Sequence, residues 1–164
     1  MLDILKQIAR VGIVAGRRQA EAAPGDAAAD PELRAVGRAP CMRHVDAGSC
    51  NGCELEIHAL GNVYHNIEAS GMKFVASPRH ADLLLVSGPV SRHMREALLR
   101  THDATPAPKR VVAVGDCAID GGIFDAGYAS CGGVADVIAV DATASGCPPA
   151  PEAIIAAIER ALES

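Results

Sequence analysis

Apolar residues follow two alternating rhythms along this chain, short β-branched runs and longer helical periods, and the alternation begins only near Cys41. The short runs predict strands at residues 43–47, 73–76, 82–87, 110–114 and 137–140. The longer periods predict helices at 54–66, 91–101 and 151–162. On the first of these, Leu60, Val63, Tyr64 and Ile67 share a face; on the last, Ile154, Ile155, Ile158 and Leu162 do, with Pro151 and Glu152 suiting a helix start. The runs DLLLVSG and RVVAVGD are apolar on both sides, as strands covered on both faces must be. The predicted fold is α/β: a doubly wound parallel sheet with helices on both faces.

Ahead of Cys41 the pattern differs. In residues 1–16, Asp3, Lys6, Gln7 and Arg10 make one narrow polar stripe against Leu2, Ile4, Leu5, Ile8, Ala9 and Val11, which predicts an amphipathic helix. The Ala-, Pro- and charge-rich stretch that follows has no sustained apolar period and reads as a linker or strap over 17–40. Residues 41–164 are then the α/β domain. A helix set apart in this way suits a membrane surface or a membrane subunit.

Composition narrows the function. A formal charge of -5 excludes the basic footprint of a nucleic-acid binder, and two Phe, two Tyr and no Trp leave no base-stacking platform. No run reaches the length of a membrane span, and Asp3, Lys6, Gln7 and Arg10 interrupt what would otherwise be a secretory signal. In a reducing compartment, six cysteines are better read as ligands than as disulfides.

Their positions sharpen that reading. In a doubly wound sheet, ligands bind beyond the carboxyl ends of the strands, and Cys50, Cys117 and Cys147 each follow a predicted strand. Cys50 and Cys53 form a C-x-x-C pair in DAGSCNGCELE, where Asn51 and Gly52 permit a tight turn. The following helix would aim its positive end at the sulfurs. Cys117 lies in VGDCAIDGG, and Cys147 in SGCPP, where Pro148 stiffens the loop. A Cys₄ set holds either zinc or a 4Fe–4S cluster; ligands dispersed over three loops of a domain with its own core suit the cluster better. Cys41, at the linker junction, and Cys131, in a glycine turn, are left as free thiols, with a Cys41–His44 metal pair as a minor alternative. His58, His65, His80, His93 and His102 are scattered and fit surface or packing roles.

The ordered motifs VDAGSCNGCELEI, SPRHADLLLVSGPVSRHM, VVAVGDCAIDGGIF and SGCPPAPEAI resemble the small subunit of the formate hydrogenlyase and energy-converting group of nickel–iron hydrogenases. More distantly they are similar to the twenty-kilodalton subunit of respiratory complex I. The resemblance implies a flavodoxin-like fold holding one 4Fe–4S cluster on Cys50, Cys53, Cys117 and Cys147. In complex I the first two cysteines are adjacent, whereas two residues separate them here, as in hydrogenases. Arg79 matches an arginine near the complex I cluster, and Glu56 matches a carboxylate of its motif, so both are candidates to surround the cluster. The resemblance also implies an oxidoreductase subunit that is not catalytic alone. It would pass single electrons to a nickel–iron centre on a partner large subunit, alongside a membrane-embedded subunit and a ferredoxin-like iron–sulfur subunit, on the cytoplasmic side of the membrane. The C-terminal helix and the loops near 121–133 would pack on those partners. The alternatives are a complex I-like quinone oxidoreductase and a zinc-stabilised Cys₄ scaffold or binding module. A flavin-binding flavodoxin is weaker, because no phosphate loop follows the first strand.

Overall fold

The computed structural model describes residues 39–163, so the amphipathic helix of 1–16 and most of the 17–40 linker lie outside the described residues. Five parallel strands form one sheet: β1 (Cys41–Asp46), β2 (Lys73–Phe74), β3 (Leu83–Ser87), β4 (Arg110–Val114) and β5 (Ala142–Ala144), in the order β2-β1-β3-β4-β5. This is the flavodoxin-like winding, with the switch point between β1 and β3. All residues of β3 and β4 are buried, because both faces of the sheet are covered.

Strand parity divides the core into two layers. Met42, Leu83, Leu85, Val112, Val114 and Ala144 face α1 (Gly52–Ala59) and α4 (Pro151–Glu163), whose Ile57, Ile154, Ala157, Ile158 and Ala161 complete that layer. Val45, Leu84, Val86, Val111 and Ala113 face α2 (Arg92–Ala104) and α3 (Asp116–Asp120), through Leu98 and Ala118. The apolar face of α4 is therefore spent on its own sheet rather than kept for a partner. Ser91 caps α2 by accepting from the Met94 N–H at 3.2 Å, and Lys109 Nζ closes its other end by donating to the carbonyls of His102 and Thr105.

Two sequence expectations are corrected. The first helix stops at Ala59 instead of reaching 66. Gly61 follows, and Asn62 Oδ1 accepts from the N–H groups of Tyr64 and His65, both at 2.8 Å, a local alternative that outcompetes helical bonding. Leu60 and Ile67 are buried, but Val63 and Tyr64 stand 99% and 85% exposed, so the shared face does not form. The fifth strand is Ala142–Ala144, not 137–140. A 3-10 turn at Val134–Asp136 sends Val134 and Ile138 into the α2/α3 layer, and Val137 leaves extended backbone at ψ -44. Pairing with β4 starts only at Asp141, which donates its N–H to the Val111 carbonyl at 2.9 Å and accepts the Val111 N–H on Oδ2 at 2.7 Å.

Among the described residues, no helix is long and apolar enough to cross a membrane.

Candidate cluster-binding rim

The chain leaves β1 through an Asx turn, in which Asp46 Oδ1 accepts from the N–H groups of Gly48 and Ser49 at 2.8 Å. Asn51 then adopts a left-handed conformation at φ 73 and caps α1, which places Cys53 inside the first helical turn. β3 and β4 each run directly into a glycine with positive φ, Gly88 at 77° and Gly115 at 91°. A Cβ on Gly88 would meet Ser49 N at 2.4 Å, and one on Gly115 would meet Cys53 Sγ at 2.5 Å. The missing side chains let the α1 loop and its sulfur settle onto the strand ends.

Beyond Gly115, Cys117 lies in α3, and its loop is tied to the one carrying Cys147. Asp116 donates its N–H to the Gly146 carbonyl at 3.0 Å, and Asp116 Oδ1 accepts the Gly146 N–H at 2.8 Å. Gly52 sits close to both Cys50 Sγ and Pro148, which joins the first loop to the last. Cys50, Cys53, Cys117 and Cys147 thus gather on one rim, beyond the carboxyl ends of the sheet. Cys53 is buried, Cys117 half-buried, and Cys50 and Cys147 exposed.

Electrostatics register this crowding. Burial pushes the Cys53 thiol up to about 11, with Glu54, Cys50, Cys117 and Cys147 adding to the rise. Burial, Cys147, Cys50 and Asp116 likewise raise Cys117. Four thiolates on this rim repel one another, and a positively charged group among them would relieve the repulsion. Among the described residues, no three His, Cys, Asp or Glu side chains converge tightly enough to hold a single metal ion.

The other candidates are placed apart. Cys131 is buried in the α2/α3 layer. Cys41 and His44, three apart on β1, point to opposite faces of the sheet. Arg79 is exposed on a 3-10 turn ahead of the amino end of β3, whereas the cysteines follow carboxyl ends. Glu56 is half-buried on α1.

Sequence reasoning passed over the neighbouring carboxylate. Glu54 is 8% exposed. Its Oε2 accepts from Ser49 Oγ at 2.5 Å and its Oε1 from the Ser87 hydroxyl. His44 Nε2 stands 2.9 Å from Ser87 Oγ and 3.6 Å from Glu54 Oε1. The available signal was Ser87 itself, a polar residue closing an otherwise apolar buried strand.

Comparison with known proteins follows the same outline. The family model described as NADH ubiquinone oxidoreductase, 20 Kd subunit, matches residues 50–161. The probable membrane-bound hydrogenase subunit mbhJ of Pyrococcus furiosus is 43% identical over 78% of this chain and 77% of its own length. Formate hydrogenlyase subunit 7 of Escherichia coli is 42% identical over 79% of this chain, which spans 51% of that relative. An NADH-quinone oxidoreductase subunit of Desulfovibrio desulfuricans is 41% identical over 80% of this chain and 72% of its own length. Among solved structures, a chain of the archaeal membrane-bound sulfane sulfur reductase superposes with a TM-score of 0.69 at 30% identity, covering 80% of this chain and 73% of the other. A chain of an NAD+-reducing [NiFe]-hydrogenase shares the fold, with a TM-score of 0.57 at 21% identity, covering 71% and 87%.

Proposed function

The chain belongs to the family of the 20 kDa subunit of NADH ubiquinone oxidoreductase, and from that premise we propose that it is the electron-transfer subunit of a membrane-bound hydrogenase complex, with one 4Fe–4S cluster on Cys50, Cys53, Cys117 and Cys147. The observation that carries this reading is the gathering of these thiols on one rim, at strand ends stripped of side chains where a sulfur must enter. The donor set fits a cubane. Its four irons take thiolates from separate directions, which suits ligands carried on three separate loops.

When bound, the cluster supplies one-electron storage and transfer. The residues of this chain hold and shield it. Gly115 admits the Cys53 sulfur; Asp116 and Gly146 lock the loops of Cys117 and Cys147 together; Cys50 and Cys147 remain exposed, where a partner subunit can approach. The loop over 121–133 leaves Ile123, Phe124 and Tyr128 exposed at 92%, 56% and 77%, an apolar surface suited to such a partner. In the complex, this subunit would pass electrons to a nickel–iron centre on the large subunit, alongside membrane-embedded and ferredoxin-like subunits, as a peripheral part of a membrane assembly on its cytoplasmic side. A second reading, a complex I-like assembly that reduces quinone, draws on the NADH-quinone oxidoreductase relative, which is almost as similar as the hydrogenase subunits.

Iron, acid-labile sulfide and zinc analysis of the anaerobically purified complex tests this reading. At least about four irons and four sulfides per copy of this chain are expected from the cluster type, with the iron of the large subunit and of the ferredoxin-like subunit added to them. One tightly held zinc without sulfide would overturn it. Nickel in the same preparation separates the hydrogenase reading from the quinone one.

A further inference from the structure

We propose that the amphipathic segment of residues 1–16 seats its apolar side on this chain's own domain, in the groove between β2 and the end of α1. This contact goes beyond the function proposed above and needs no cluster. The groove lies at an uncovered margin of the sheet. β2 is only two residues long and, among the described residues, is the last strand on its side. Lys73 and Val75 donate their N–H groups inward, to the carbonyls of Pro40 at 3.2 Å and Met42 at 2.8 Å, so Phe74 turns its own N–H and carbonyl to the open side. Beside this edge is an open pocket of about 390 Å³, lined by Ile57, Phe74 and Val75 together with Arg43, His44 and His58. Gly61 also lines it and leads into the turn on which Val63 and Tyr64 stand exposed. An unpaired edge with apolar side chains next to it invites a covering element.

Reach makes residues 1–16 the natural occupant. The described chain enters the domain on this same edge: a Cβ on Gly71, just ahead of β2, would stand 3.0 Å from that of Ala39. Arg43, which lines the groove, is only four residues further along, about 13 Å of extended strand. Residues 17–38 span about 25 Å as a flexible chain, so the groove is accessible to the segment they tether. A tether of that kind supplies an effective concentration in the millimolar range, enough for a modest apolar contact to persist.

The segment's own pattern favours the groove over a lipid surface. Leu2, Ile4, Leu5, Ile8, Ala9 and Val11 occupy most of the helical circumference, and a helix apolar over so wide an arc is one enclosed on several sides. A helix lying on an anionic bilayer carries a strongly cationic polar face. Here that face is a narrow stripe in which Lys6 and Arg10 are offset by Asp3. A helix this short is marginal in water by itself, so it forms as it docks, and the sheet edge gains its cover in the same step.

Hydrogen–deuterium exchange of the intact, anaerobically purified complex, read by mass spectrometry, tests the contact from both sides. In the wild type, the amides of residues 4–11 and the Phe74 amide are expected to exchange slowly. Phe74→Glu places a charge in the groove at a position already 40% exposed, and is expected to speed exchange in residues 4–11 severalfold. Ile8→Glu, outside the α/β domain, is expected to speed exchange at Phe74 in the same way. It is the deciding variant if Phe74→Glu does not assemble. Fast exchange of residues 4–11 in the wild type would overturn the contact. So would either variant if it left the opposite segment exchanging at its wild-type rate, since a bilayer or another subunit would then be what covers residues 1–16.

Discussion

The middle of the sheet and its carboxyl rim are built on opposite principles. In β3 and β4 every residue is buried and stability comes from filled volume: Leu83, Leu84, Leu85, Val86, Val112, Ala113 and Val114 are all fully enclosed. At the rim, a few residues further on, the decisive feature is volume left out. Gly88 and Gly115 stand where a methyl group would collide with the loop that carries Cys50 and Cys53. An error in the first region costs folding free energy spread over the whole domain. An error in the second costs the placement of one sulfur.

Substitutions that separate these two kinds of cost test the contrast. Leu85→Ala should cost the most stability, about 2–5 kcal/mol, because it empties a site enclosed on every side. Denaturant unfolding reads this directly, and the protein that remains folded should bind its full complement of iron. Gly115→Ala should cost less in folding, about 1–3 kcal/mol for a strained backbone and one displaced contact. Its iron and sulfide content, however, should fall severalfold, since the new Cβ lies 2.5 Å from Cys53 Sγ. Loading as complete as wild type would contradict the role given to that glycine. Asp116→Ala should act more weakly in the same sense: it loses the bond to Gly146, about 1 kcal/mol, and slows cluster insertion by loosening the loops of Cys117 and Cys147 against each other.

The smallest effect is expected far from the rim, at the end of α2. Burial holds His102 below its ordinary value, with Lys109 acting in the same direction. The folded-state value is depressed, so the neutral ring contributes stability fully above the ordinary histidine value of about 6.5, and that contribution is lost as pH falls through the folded value. His102→Gln should flatten the acid side of the stability profile without altering cluster content. A change in iron content there would mean that the two regions are more tightly coupled than the contacts suggest.

The same contrast explains what could be read from sequence. The central strands announce themselves, because burial on both faces demands unbroken apolar runs such as LLLV and RVVAV. The winding and the location of the cysteines beyond strand ends follow from the alternation of strands and helices. Less was legible where one local interaction decides the outcome. The Asn62 turn ends α1 early, and Asp141 postpones β5 by claiming the edge of β4. At the rim, the motif drew attention to Glu56 and passed over Glu54 two residues before it. Only the tertiary approach of Ser87 and His44 singles out Glu54. The fit of Gly115 against Cys53 joins residues far apart in the chain, so neither motif alone discloses it.

The most direct measurement is the low-temperature electron paramagnetic resonance spectrum of the reduced complex, recorded for serine replacements at each of the six cysteines. Loss of the cluster signal in the variants at Cys50, Cys53, Cys117 and Cys147, with a wild-type spectrum for those at Cys41 and Cys131, is the predicted result. A signal that survives replacement of Cys53, or that vanishes with Cys131, would contradict the four-thiol rim.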